Sequence, residues 1–160
     1  MKIGLALREL HRAEKSLARD LLKLSDKHKV EHEVYYVARD LARWSVEHVE
    51  ALAEAAERYD LKLDADVPHS SGPLAPIRTA VSELGVRRPE PGVLLLADLR
   101  RVHRKAVGVS LDWELLAQGA QAVKDTDLVD VTQRCHPQTL RQMKWANAML
   151  KTLSPQVLVS

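Results

Sequence analysis

The sequence has 160 residues, of which 46% are apolar, 29% charged and 4% aromatic, with six Gly and no Phe. A chain of this length suits a single domain, and this composition is typical of a helical protein with an aliphatic core. The formal net charge of +2 is too small to indicate nucleic acid or an acidic lipid surface as a partner.

Cysteine usage and the start of the chain bear on the compartment. Cys135 is the only cysteine, which excludes an internal disulfide and favours a reducing compartment. Residues 1–9 reach charged side chains after a short apolar run, unlike a signal peptide or a membrane span. We therefore expect a cytoplasmic protein with no membrane partner.

The first predicted helix covers about residues 3–24. Its apolar side chains recur at alternating spacings of three and four, which places them on one face: Ile3, Leu7, Leu10, Leu17, Leu21 and Leu24. Glu14 occupies the position on this stripe between Leu10 and Leu17. Polar residues 25–29 predict a short turn, so the second helix should return antiparallel to the first.

The second helix is predicted over about residues 31–59. Its stripe is interrupted only by His48 and otherwise consists of Val34, Val37, Leu41, Trp44, Ala51 and Ala55. Residues 61–90 break the helical pattern and predict a long crossover, with a short helix over 76–84. A link of this length can return along the whole bundle.

Two further helices follow the crossover. The third is predicted over about 91–123, with Pro91 suited to its first turn, and residues 124–126 form a tight turn that offers two capping candidates, Asp125 and Thr126. The fourth is predicted over about 127–153, with a kink or break before Pro137. These helices place the bundle domain at 1–153 and leave 154–160 as a tail.

A family resemblance enters with two segments. Glu47-His48-Val49-Glu50-Ala51-Leu52-Ala53-Glu54 resembles the second-helix motif of rubrerythrin and bacterioferritin relatives. Leu10-His11-Arg12-Ala13-Glu14-Lys15 resembles their first-helix segment, in which one Glu points into the bundle. Two helical hairpins joined by a long crossover is also the ferritin-like connectivity. The resemblance implies an all-α, ferritin-like four-helix bundle.

The same resemblance exposes missing metal ligands. In those families a Glu three residues before the motif His binds metal together with that His, whereas position 45 here is Ser. No Glu-x-x-His occurs in the sequence, and the fourth helix has no Asp or Glu after Asp130. We therefore expect a lost di-iron site, no cofactor and no enzymatic activity. The expected function is an interaction or structural module that forms a homo-oligomer, as a dimer, or binds a protein partner.

A rival hypothesis keeps a metal. Under the ferritin-like topology Glu14, His48 and His103 can approach one another in the bundle core, with Glu47 or Asn147 near. They could bind a single divalent ion or support an oxidase. Alternatively, Glu14 accepts a hydrogen bond from a histidine, because a buried charge needs a partner. That pair could be the relic of a lost metal site.

Other residues have both functional and structural interpretations. A third function, anion or nucleic-acid binding, would use basic residues of the third helix, which otherwise form a solvated face: Arg100, Arg101, Arg104 and Lys105. His11 and His28 are predicted on the solvated surface. Cys135 is predicted as a buried inert thiol, not a nucleophile activated by His136. Trp44 and Trp113 are predicted in the core, and Trp145 at a surface used for self-association.

Overall fold

The computed structural model describes residues 2–67 and 90–160, and the described chain is helical without strands. Four helices pack against one another: α1 (Ile3–Lys27), α2 (His32–Glu57), α3 (Pro91–Ala122) and α4 (Thr126–Val159). The all-α bundle predicted from apolar periodicity is confirmed. The short helix predicted over 76–84 lies outside the described residues.

Side-chain contacts fix the directions of the helices. Glu14 of α1 bonds Trp113 of α3, while Lys27 near the end of α1 pairs with Asp98 near the start of α3, so these two helices are antiparallel. The second and fourth helices are antiparallel too, because their contacts run in opposite order along the chain: Ser45 with Gln142, then His48 with Gln138. The helices of each hairpin, α1 with α2 and α3 with α4, pack together as well.

The end of α2 and the start of α3 therefore lie at opposite ends of the bundle. Arg58, just after α2, pairs with Asp125 in the turn between α3 and α4. The start of α3 lies at the other end, beside the last turn of α1. Asp64 lies against His11 and Lys15 of α1. Residues 61–67 thus begin the path towards the start of α3 along the flank of the first helix.

The core fills the space between the four helices. Its largest fully buried side chain is Trp113, and every helix contributes fully buried leucines to the core, including Leu7, Leu52, Leu99 and Leu128. Burying aliphatic side chains of this size contributes about 1.5–3 kcal/mol each. Packing of the apolar stripes, more than intrinsic helix propensity, therefore holds the bundle together.

The fourth helix is longer than predicted, and the expected tail at 154–160 is wrong. The helix passes through Pro137 and Pro155 without a break and ends at Val159. Val157 lies against the start of α3, where a Cβ added to Gly92 would be 3.0 Å from it. This contact explains why the last turns of α4 remain helical.

None of the described helices has a sufficiently long and apolar stretch to cross a membrane.

Candidate functional site

One polar side chain from each helix meets in the middle of the bundle. Glu14, His48, Trp113 and Gln138 form this group, which we call the Glu14 cluster. His48 Nδ1 donates to Glu14 Oε1 at 2.8 Å, and Trp113 Nε1 donates to the same oxygen at 2.8 Å. His48 Nε2 donates to Gln138 Oε1 at 2.7 Å. The cluster thus connects all four helices through three hydrogen bonds.

The surroundings of His48 favour the charged form of its imidazole. Burial lowers the pKa of His48, but the hydrogen bond to Glu14, the negative charge of that residue and the Gln138 acceptor together raise the pKa above 6.5. With the amide oxygen of Gln138 facing the ring, both ring nitrogens donate. The ring edge of His48 also meets Trp113, with centroids 5.7 Å apart. Glu14 and His48 therefore pair directly in the core, with both side chains buried.

A second polar layer lies one turn further along α4. Gln142 Nε2 donates to the Leu41 carbonyl and to Ser45 Oγ, each at 2.9 Å. Ser45 is thus a hydrogen-bond partner within the core. Around these two layers, the buried oxygens Glu14 Oε2, Thr139 Oγ1 and Gln142 Oε1 have no hydrogen-bond partner among the described residues.

The thiol of Cys135 shares this environment. Burial, together with the charges of Glu14 and Glu47, raises the pKa of Cys135 to about 11, although Arg134 acts in the opposite direction. A thiol with this pKa is a poor nucleophile at neutral pH because the reactive thiolate is scarce. The neighbouring His136 bonds Ser110 of α3 instead, at 2.9 Å. The predicted burial of Cys135 is confirmed.

The four residues of the metal hypothesis occupy three different environments. Glu14 and His48 bond each other, as the structural interpretation predicted. His103 Nδ1 donates to the Met143 carbonyl at 3.1 Å. The side chain of Glu47 is exposed. Asn147, the further residue considered near this group, is exposed on α4.

These side chains do not fit a dinuclear metal centre. Such a centre needs a carboxylate from two helices and a Glu-x-x-His from each of the other two. In the Glu14 cluster one carboxylate is present, and both nitrogens of its histidine are already hydrogen-bonded. Within residues 2–67 and 90–160, no group of three His, Cys, Asp or Glu side chains is arranged to hold a metal ion.

The four basic residues considered for anion binding are divided between two sides of α3. Arg101 lies 3.5 Å from Asp98, and Lys105 pairs with Asp20 of α1 at 3.0 Å. Arg100 and Arg104 are exposed and form no ion pair within the described chain. Two of the four cations are therefore already neutralised by carboxylates of the bundle.

The prediction that His11 and His28 lie on the solvated surface is wrong. His28 is 7% exposed and its Nε2 donates to Asp98 at 2.8 Å, while Lys27 pairs with the same carboxylate at 2.9 Å. His11 is 6% exposed and donates to the Asp64 carbonyl. Partners more than fifty residues away bury both rings, and helical periodicity contains no information about them.

A second cluster lies at the end of the bundle where α2 ends and the chain turns from α3 into α4. Asp125, predicted as a cap, accepts from the Leu128 backbone N–H at 3.0 Å. It also accepts from Arg58 at 2.9 Å and from the Tyr59 hydroxyl at 2.5 Å. We call these three side chains, Asp125, Arg58 and Tyr59, the Asp125 clasp. Burial raises the pKa of Tyr59 to about 12, while the donors lower the pKa of Asp125 to about 2 despite its partial burial.

Sequence reasoning did not assign two members of the Glu14 cluster. Trp113 was predicted in the core, but nothing indicated that its indole N–H would bond Glu14. Gln138 lies beside the predicted stripe of α4 and next to Pro137. The signal that could have found it was the requirement that a buried His48 have partners at both nitrogens.

Comparisons with known proteins add no assignment. No protein-family model, no curated protein and no solved structure matches this chain. Its function is therefore inferred from the residues of the bundle themselves.

Proposed function

We propose that this protein is a ferritin-like helical bundle without a di-iron site that acts as a non-catalytic interaction or structural module. The observation that carries the proposal is that both ring nitrogens of His48 are already hydrogen-bonded within the Glu14 cluster. Its carboxylate, imidazole, indole and amide are bonded to one another. Such a cluster ties four helices together and leaves the imidazole no free lone pair for a ligand.

The helix directions support the ferritin-like part of the proposal. The first helix is antiparallel to the second and third, and the second is antiparallel to the fourth, as the contacts of Glu14, Ser45 and His48 indicate. Because α2 ends and α3 begins at opposite ends of the bundle, the chain between them connects those ends. This is the connectivity of bundles with one long crossover.

A second candidate, a single divalent ion in the core, draws on one observation. Glu14 Oε2 is fully buried and has no partner among the described residues, and a buried carboxylate oxygen without a partner is costly. A metal ion at that oxygen would compete with the protons of His48 for the same carboxylate. The two candidates differ in metal content.

Elemental analysis of protein purified without chelators or an affinity tag distinguishes them. We expect no stoichiometric iron, manganese or zinc in the wild type, and the same result for Glu14→Gln, which retains an acceptor but not the charge. Stoichiometric metal that is lost in Glu14→Gln and in His48→Gln would overturn the proposal in favour of the metal site. A matched Glu114→Gln variant, altered at an exposed position of α3, should retain the wild-type metal content.

A further inference from the structure

The open side of the bundle between α2 and α4 has the composition of an interface. Glu47 and Glu54 of α2 and Arg58, the residue after its last turn, are spaced by seven and four, and Arg58 pairs with Asp127 of α4 at 3.5 Å. These residues therefore run along the edge of α2 that adjoins α4. We call the surface formed by this edge and the matching edge of α4 the α2–α4 face.

The matching edge of α4 is basic. Arg134, Gln138 and Arg141 are spaced by four and three residues, and Gln138 reaches across to His48 of α2. Both Arg134 and Glu47 act on the pKa of Cys135, so both edges carry charge near the same thiol. All four charged side chains, Glu47, Glu54, Arg134 and Arg141, are exposed. Over its middle the face is thus acidic along α2 and basic along α4, while at one end the signs are exchanged, with Arg58 on the α2 edge and Asp127 on α4.

These charges are not satisfied within the bundle. In the described part of the chain, Glu47 and Glu54 form no ion pair with α4, and Arg134 and Arg141 form none with α2. Among residues 2–67 and 90–160, the one ionic link across the face is Arg58 with Asp125 and Asp127, at one end. An acidic row and a basic row of equal spacing, about 10 Å over seven residues, remain available to a complementary surface.

Aromatic side chains lie on the same face. Trp44 precedes His48 by one turn, and Trp145 follows Gln138 by two turns, so each lies on the side where α2 meets α4. Both are half-buried against the core. Tyr36, three turns before Glu47, is 65% exposed. Exposed Tyr and half-buried Trp are typical of the centres of protein interfaces.

We propose that the α2–α4 face binds a second copy of this chain, with the acidic row of one copy against the basic row of the other. A two-fold axis parallel to the helices places α2 of each protomer opposite α4 of its partner, and one contact serves both copies. A two-fold axis across the helices would instead oppose like charges. The inference rests on the proposed function and names the partner and surface of that module.

Register and area agree with this arrangement. His48 lies level with Gln138, so Glu47 of one copy comes level with the stretch between Arg134 and Arg141 of the other. The face is about 33 Å long from Tyr36 to Arg58 and about 20 Å wide across two helices. Two copies would therefore bury about 1,300 Å² in total, within the range of stable interfaces.

Charge reversal with complementation tests the proposal. Sedimentation analysis should give the wild type a mass of twice 18.0 kDa. Glu47→Arg with Glu54→Arg, and separately Arg134→Glu with Arg141→Glu, should each raise the dimer dissociation constant at least about tenfold. An equimolar mixture of the two double variants should recover the dimer, because the reversed rows then attract in the mixed pair.

A matched control changes the same charges elsewhere. Arg100→Glu with Arg104→Glu, on the exposed side of α3, should leave the dimer intact, and circular dichroism should report a folded bundle for every variant. A wild-type monomer at all concentrations, a dimer insensitive to both reversals, or no recovery in the mixture would overturn the proposal. Metal content measured on the same samples tests the proposed function separately, since a metal-free monomer contradicts only the interface.

Discussion

The centre and one end of this bundle each contain a carboxylate that accepts hydrogen bonds from several side chains. The two carboxylates differ in their exposure to water. In the Glu14 cluster the carboxylate and its histidine are 0% and 1% exposed. In the Asp125 clasp the carboxylate is 15% exposed and its arginine 41%. At the end of the bundle water can replace a lost partner, whereas in the centre it cannot. The same set of interactions is therefore much harder to remove from the centre.

The largest expected effect comes from breaking the central cluster. Glu14→Ala leaves the His48 and Trp113 donors without an acceptor and should lower the free energy of unfolding by about 3–5 kcal/mol. Glu14→Gln retains an acceptor and should cost less. Denaturant unfolding of both variants measures the difference, and equal losses would show that the charge matters more than the hydrogen bonds.

A smaller effect is expected at the clasp. Asp125→Ala removes the cap of α4 and the acceptor of Arg58 and Tyr59, and should cost about 1–2 kcal/mol. Asp125→Asn can still cap the helix and should recover most of this loss. The measurement is again the midpoint of denaturant unfolding. A loss at Asp125 as large as that at Glu14 would contradict the comparison between centre and end.

The two clusters should respond to pH in opposite directions. Because the folded pKa of His48 is raised above 6.5, its stabilisation is complete below pH 6.5 and is lost as pH rises through the folded pKa. The negative charges of Glu14 and Glu47 both raise the pKa of His48. Because the pKa of Asp125 falls from 3.8 to about 2, its stabilisation is present above pH 3.8 and lost towards pH 2.

Stability curves of three proteins separate these two responses. His48→Gln should flatten the alkaline decline in unfolding free energy, and Asp125→Asn should flatten the acid decline, each without altering the other. A wild-type alkaline decline that persists in His48→Gln would assign it to another group.

The smallest effect is expected at Thr139. Its hydroxyl is fully buried and has no partner within the described residues, so it contributes polarity to the centre without a compensating hydrogen bond. Thr139→Val replaces the hydroxyl by a methyl of similar size and should change unfolding free energy by about 1 kcal/mol or less, towards greater stability. A clear loss of stability would reveal a partner for this hydroxyl, such as a buried water.

Some of this architecture could be read from the sequence because it depends on local periodicity. The boundaries of α1 to α3, Pro91 in the first turn of α3 and the cap at Asp125 follow from rules that act over a few residues. The end of α4 was missed because Val157 is held by Gly92, a contact between distant residues.

The candidate site was only half predictable for the same reason. Glu14 and His48 stood out because each interrupts an apolar stripe, and a buried charge needs a partner. Trp113 and Gln138 interrupt nothing, so their bonds to the pair could be found only once the helices were placed side by side. His28 was misplaced because its partner, Asp98, lies 70 positions away.

The separation of these partners along the chain also bears on the order of folding. Glu14 and Trp113 are 99 positions apart, and His48 and Gln138 are 90 apart, whereas each helical hairpin consists of contacts between neighbouring segments. Closing a long loop costs entropy before any contact across it is gained. We therefore expect the two hairpins to assemble first and the Glu14 cluster to form when they dock, so that burial of the Trp113 indole marks the final step.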